Sequence, residues 1–275
     1  MMSQQSLSSP EYWTERYKGA GTVVGGWSPA DYNSLALEHI LLKGIKACSP
    51  KSILEIGCGG STWLPYLGKR TGASVAGIDY SELGCQLSRQ NLEAERVQGK
   101  IFCIDFFDAD PLQVGQYDFV YSLGVAEHFV SLETALAAMM RFVRPGGVLF
   151  TSIPNLRSFH GLLGKIWQPA VMEKHQIVTK GKLVKAYGSV GLMDIVSNYC
   201  GLFSLNIVAW GVEPRFPKIE KICLPFIYRL IGATDVILRR LKGFDKANAF
   251  FSPFVYIYGT YIPPNVPRDN DGRTV

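Results

Sequence analysis

Short apolar runs alternate with helically spaced segments through the middle of this chain. The runs are Ile53-Leu54-Glu55-Ile56, Val75-Ala76-Gly77-Ile78-Asp79, Ile101-Phe102-Cys103-Ile104, Tyr117-Asp118-Phe119-Val120-Tyr121-Ser122 and Val148-Leu149-Phe150-Thr151-Ser152. Between them, 63–70 suits a helix with Pro65 in its first turn. Segment 81–95 suits a second helix, with Ser81 as N-cap, and 131–142 a third, with Glu133 near its start. Arg144-Pro145-Gly146-Gly147 reads as a turn. Buried strands joined by helices predict an α/β fold, a parallel sheet with helices on both faces.

The flanks are less regular. Residues 10–17 read as a short helix carrying Tyr12, Trp13 and Tyr17. Gly19, Gly21, Gly25 and Gly26 make a flexible stretch before Trp27, and 31–47 has helical spacing. Beyond the fifth strand, 182–199 suits a helix stopped by Gly201. Residues 203–210 and 254–262 read as strands. Between them lies an insertion, 213–252, with Pro214, Pro217 and Pro225 and an amphipathic helix over 224–241. From Pro263 the tail is polar.

Composition narrows the class. The chain has 275 residues, enough for one large α/β domain, and is 47% hydrophobic and 19% charged, which excludes a disordered chain. A net charge of +5 without a long basic run argues against a nucleic-acid partner. None of the six cysteines has C-x-x-C spacing, so free thiols in a reducing compartment are expected. The polar start shows no signal peptide, and no apolar stretch approaches the ~20 residues of a membrane span, so a soluble, cytoplasmic protein is expected.

The candidate chemistry lies at strand ends. The first strand runs into Gly57-Cys58-Gly59-Gly60-Ser61, where glycines let the backbone approach a ligand. The second ends at Asp79, a carboxylate able to accept both ribose hydroxyls of a nucleoside. The third is followed by Asp105 and Phe106, an acceptor for an adenine amine and a cover for its ring. Each has a plainer reading: a packing turn, a helix cap, a turn residue. A dinucleotide dehydrogenase would place glycine where this chain has Thr62, and has no role for Asp105 or Glu127-His128.

With Glu127-His128-Phe129 and Arg144-Pro145-Gly146-Gly147 added in order, residues 53–153 resemble a class I S-adenosylmethionine-dependent methyltransferase. The resemblance implies a Rossmann-like, doubly wound seven-stranded sheet. It is mostly parallel with an antiparallel last strand, and 203–210 and 254–262 would be its last two strands. It implies S-adenosylmethionine as cofactor, bound by Glu55, Gly57, Cys58, Gly59, Asp79, Tyr80, Asp105, Phe106, Ser122 and Leu123. Ser61 departs from the family's third glycine, with Gly60 one place earlier. The chain then reads as one domain: a helical lid at 1–47, a cofactor core at 48–155, and substrate caps at 156–180 and 213–252.

Transfer from a sulfonium needs an aligned nucleophile and, for a hydroxyl or ammonium, a base. His128 is the candidate base, with Glu127 orienting it, binding an amine or holding a metal; the plainer reading is a Glu-His helix cap. Tyr12, Tyr17, His160 and His175 are candidates for acceptor contact, and His39 reads as structural. No metal is expected, because no ligand cluster shows metal spacing. Insertion 213–252, with Arg229, Arg239, Arg240, Lys242 and Lys246, reads first as a lid or dimer contact and second as a membrane-lying face. The expected function is methylation of an O or N atom of a small molecule in biosynthesis or secondary metabolism, by a monomer or homodimer. The alternatives are a noncatalytic binding or assembly module and a lipid- or quinone-directed enzyme at a membrane surface.

Overall fold

The computed structural model describes residues 6–19, 31–205, 208, 210 and 212–263. Helices α1 (Pro10–Gly19) and α2 (Tyr32–Cys48) precede β1 (Ser52–Ile56), α3 (Trp63–Thr71), β2 (Ser74–Asp79), α4 (Glu82–Ala94) and β3 (Gly99–Cys103). Then follow α5 (Pro111–Val114), β4 (Tyr117–Leu123), a 3-10 turn (Ala126–His128), α6 (Leu132–Met140) and β5 (Val143–Pro154). The last elements are α7 (Phe159–Trp167), α8 (Pro169–Glu173), α9 (Lys180–Ser189), β6 (Leu192–Cys200), α10 (Pro217–Leu241) and β7 (Phe254–Tyr261).

The seven strands form one sheet in the order β3-β2-β1-β4-β5-β7-β6. Pairings from β3 to β5 are parallel, and β7 lies antiparallel between β5 and β6. Strand period two divides the core. Leu54 and Ile56 of β1 face α6 and α9 (Leu132, Leu136, Leu183, Tyr187), while Ile53 faces α2 and α3 (Ile40, Leu41, Leu64, Leu67). Chain order reverses between β1 and β4, and that switch point is where an open α/β sheet takes its ligand.

The caps follow the sequence. Ser81 Oγ accepts from Gly84 N–H at 3.2 Å, and Ser131 Oγ from Thr134 N–H at 3.1 Å. The antiparallel strand is present, but its neighbour differs from the expected one. Helix α9 stops at Ser189, and Gly191, at φ +84°, turns the chain into β6. Ile195, Ser197 and Tyr199 then alternate with the exposed Val196 and Asn198, a strand where a helix to Tyr199 was expected. Residues 203–205, 208 and 210 form no strand; the remainder of that expected strand, 206, 207 and 209, lies outside the described residues. Strand β5 extends back through Arg144–Gly147, with a register shift in its pairing to β4 and Gly146 at φ +79°. Pro225 lies inside α10, so the helix is longer than 224–241. The stretch from Gly21 to Trp27 and the tail beyond 263 are outside the described residues.

Candidate active site

The loop after β1 is held from two sides. Gly57 and Cys58 N–H both donate to Ile78 C=O, at 2.8 and 3.1 Å. From α4, Ser88 donates to Cys58 C=O at 2.7 Å, and Asn91 to the carbonyls of Gly60 and Ser61 at 3.1 and 3.2 Å. Gly57 and Gly60 sit at φ +73° and +69°, the left-handed region that glycine enters without strain. A Cβ at Gly57 would press into Val125, and one at Gly59 into Tyr17 and Asp79. Ser61, the residue that departs from the glycine pattern, has work here. Its hydroxyl donates to Glu55 at 2.5 Å and accepts from Trp63 and Leu64 N–H, capping α3.

This loop floors a cavity of about 370 Å³. Glu55, Gly57, Cys58, Gly59, Asp79, Tyr80, Phe106 and Leu123 of the expected cofactor set line it, together with Tyr17. Asp105 and Ser122 do not line it. Asp105 accepts from Phe107 N–H at 3.0 Å, and Ser122 is buried against Thr151 at 3.3 Å; Ile104 and Gly124 present the surface instead.

Asp79 is fixed by two backbone donors, Gly59 N–H at 2.8 Å and Ser81 N–H at 2.7 Å. Burial raises its pKa, and those two bonds pull it back. Glu55 is buried and pushed up to about 7 by desolvation, against the hydroxyls of Ser61 and Tyr121. Tyr121, 2.8 Å from Glu55, was not a candidate, although β1–β4 pairing sets Glu55 opposite Tyr121.

A second cavity of about 140 Å³ lies alongside, lined by Tyr12, Arg16, Leu156, His160, Met172 and His175 among others. Trp13 lines both cavities. His128 lines the first, and its ring centre is 4.3 Å from that of His175 in the second. His128 Nδ1 donates to Lys174 C=O at 2.7 Å, which assigns the neutral tautomer and leaves the Nε2 lone pair as acceptor. Burial first, then His175, lowers its pKa to about 3. Glu127 is buried with neither carboxylate oxygen hydrogen-bonded, and burial pushes it up to about 8. Ligand atoms of Glu127, His128 and His175 lie within 4.8 Å of one another. This set could hold a proton or a cation, and linear spacing could not show it because His175 is remote in sequence.

His160 is committed otherwise. Ser204 N–H donates to its Nε2 at 3.1 Å, so Nδ1 carries the hydrogen and faces Ser158 Oγ at 3.0 Å. Tyr12 lies under Lys174 Nζ, 4.7 Å from its ring centre. No residue of 213–252 lines either cavity.

Residues 54–151 match the family model described as a methyltransferase domain. Over 156 residues the chain is 27% identical to the ubiquinone biosynthesis O-methyltransferase of Idiomarina loihiensis, covering 54% of this chain and 64% of that protein. It is 33% identical to the enzyme of the same name from Acinetobacter baylyi over 106 residues, 38% of this chain and 44% of that one. The chain thus spans about half the length of the curated relatives it matches. Among solved structures, the plantazolicin methyltransferase BpumL in complex with SAH superposes with a TM-score of 0.56 at 15% identity, over 93% of this chain and 92% of that one, a likeness of fold. Residues 54–151 thus match a methyltransferase domain, and the strand order of the sheet agrees with the resemblance to the class I S-adenosylmethionine-dependent methyltransferases.

Proposed function

We propose that this chain transfers a methyl group from S-adenosylmethionine to a hydroxyl oxygen of a small, largely apolar acceptor, with a phenol favoured. The observation that carries this reading is the neutral His128. Its ring lines the larger cavity beside His175 of the smaller one, with Nδ1 committed to Lys174 C=O. The curated relatives, named as ubiquinone biosynthesis O-methyltransferases, support an oxygen acceptor over an amine.

The residues of the larger cavity fit the cofactor. Asp79 is a buried carboxylate held by backbone donors and facing an open space, suited to ribose hydroxyls. Gly57 and Gly59 carry the backbone along the cavity wall, with Val125 and Tyr17 packed where a Cβ would lie. Glu55 fits the methionine ammonium, and Phe106 with Ile104 the base. When bound, the cofactor supplies an electrophilic methyl on a sulfonium.

His128 Nε2 accepts the hydrogen bond of the acceptor hydroxyl and takes its proton as the new C–O bond forms. A weak base suffices, because the attacking oxygen grows more acidic as it gives up electron density. Glu127, protonated in its buried site at neutral pH, adds no charge that would hold His128 cationic. Helix α1 covers the site through Trp13 and Tyr17, 48–155 holds the cofactor, and 156–180 forms the acceptor side. The decisive test is incubation with methyl-labelled S-adenosylmethionine and a panel of ortho-diphenols and primary amines, read by mass spectrometry. Methyl ethers are expected; label on amines alone, or on neither class, overturns the reading.

A further inference from the structure

Helix α10 buries little of what its sequence offers to bury. Glu220, Cys223, Leu224, Ile227, Ile231 and Leu238 form the side turned toward the rest of the protein. A second apolar stripe, Ile219, Ile222, Phe226, Leu230, Ile237 and Leu241, runs along the helix at spacings of three, four and, from Leu230 to Ile237, seven residues and is exposed. Ile222 and Phe226 are 79% and 71% exposed, values expected of lysines rather than of a stripe six residues long.

Charge names the occupant. Arg229 and Arg240, exposed, sit three residues on from Phe226 and Ile237 and border the stripe, and Lys218 and Lys221 are exposed at its start. The two acids of α10 lie elsewhere. Glu220 is buried, and Asp235 accepts from Tyr32 N–H at 2.6 Å and faces Arg239 at 3.9 Å. A second copy docked stripe to stripe would bring the same arginines from both chains onto one seam with no exposed acid of α10 to meet them. An apolar stripe edged by cations fits the boundary between acyl chains and anionic headgroups. No described helix is long and apolar enough to cross a membrane, so α10 would lie on the surface rather than span it.

We propose that α10 docks the protein on an anionic lipid bilayer, its outer stripe set into the headgroup boundary and Arg229 and Arg240 against the phosphates. This gives the second of the two sequence readings of 213–252 its physical ground. It does not depend on the proposed methyl transfer, since binding to lipid is read without turnover.

The full chain is floated with vesicles of phosphatidylcholine alone and of phosphatidylcholine mixed with phosphatidylglycerol. Binding to the mixed vesicles is expected, roughly tenfold tighter than to the neutral ones and weakening with added salt. Ile222→Asp and Phe226→Asp should each lower it roughly tenfold while the thermal midpoint and S-adenosylmethionine affinity stay at the wild-type values. Arg229→Glu with Arg240→Glu, a change confined to exposed side chains, should erase the preference for anionic vesicles. No flotation with either vesicle overturns the proposal, as does undiminished flotation of Ile222→Asp. A concentration-dependent dimer in sedimentation, broken by Ile222→Asp and without flotation, assigns the stripe to a second copy and overturns it equally.

Discussion

Burial of the Glu127 carboxyl strips water from its charged form and favours the protonated one. Its pKa is raised from 4.5 to about 8, so the folded state keeps a proton that the unfolded chain has released. Its contribution to stability is therefore full below pH 4.5 and is lost as pH rises through about 8. Glu55 acts in the same sense up to about 7. His128 and His160, lowered to about 3 and about 4, act oppositely and only below 6.5. Between pH 7 and 8 Glu127 dominates, with a slope approaching 1.4 kcal/mol per unit as an upper bound of about one proton. Thermal midpoints measured across that window should fall in the wild type and fall less steeply in Glu127→Gln, where only Glu55 still titrates; parallel curves would refute the assignment. The other site residues separate binding from chemistry. Asp79→Ala should weaken cofactor binding on the order of 10- to 100-fold by calorimetry, because it removes a charged acceptor. His128→Ala should lower kcat about 100-fold and leave cofactor affinity unchanged. The Asp79 and Gly57 positions were legible because a strand end and a glycine turn fix where a backbone can bring a ligand. His175 beside Glu127 was not, since only the path of the cap after β5 brings it there.

Helix α2 shows how an element is held by what it lacks. Ala36, Ile40, Leu41 and Ile45 bury one side of it against the sheet, and Gly44 lets the axis come close. A Cβ at Gly44 would meet Phe150 at 2.8 Å and Phe119 at 3.0 Å, both in strands at the centre of the sheet. Gly44→Val should therefore cost about 1–3 kcal/mol by overpacking, seen as a lower denaturant midpoint with an unchanged slope. Most elements could be read from the chain because local pattern and tertiary demand agree there, as in β1, where period two alone separates Ile53 from Leu54 and Ile56. They disagree at β6. Leu183, Ala186 and Tyr187 set a helical rhythm that the apolar residues after Gly191 continue by chance, and only pairing with β7 makes them a strand. A left-handed residue, Asp194 at φ +49°, marks the register shift there, a conformation that no periodicity announces.

Across the whole molecule, the buried core reaches the ligand site through Cys58, Ile78, Phe106 and Phe129, while helices α1 and α10 stand outside that core. Both buried clusters lie on the two faces of the sheet, and neither includes a residue of α1 or α10. Helix α1 is tied instead by Tyr17, packed beside Gly59 and Gly84, and by contacts to the segment after β4. Ser6 bridges Phe129, Leu7 N–H donates to His128 C=O at 2.7 Å, and Trp13 packs edge-on to His128 at 5.1 Å. An element held this way opens at low free energy, while β1, β4 and β5 open only with the whole fold. Amide exchange in the free protein should thus be slowest in those strands and fast in both α1 and α10. S-adenosylhomocysteine in the larger cavity, which Trp13 and Tyr17 line, would add contacts to α1 and none to α10, whose residues line neither cavity. Protection should rise several-fold over 10–18 and stay unchanged over 217–241, with a gain of RT ln(1 + [L]/Kd) as its limit. Equal protection of the two helices would show that the ligand tightens the fold as a whole, and the lid role of α1 would fall.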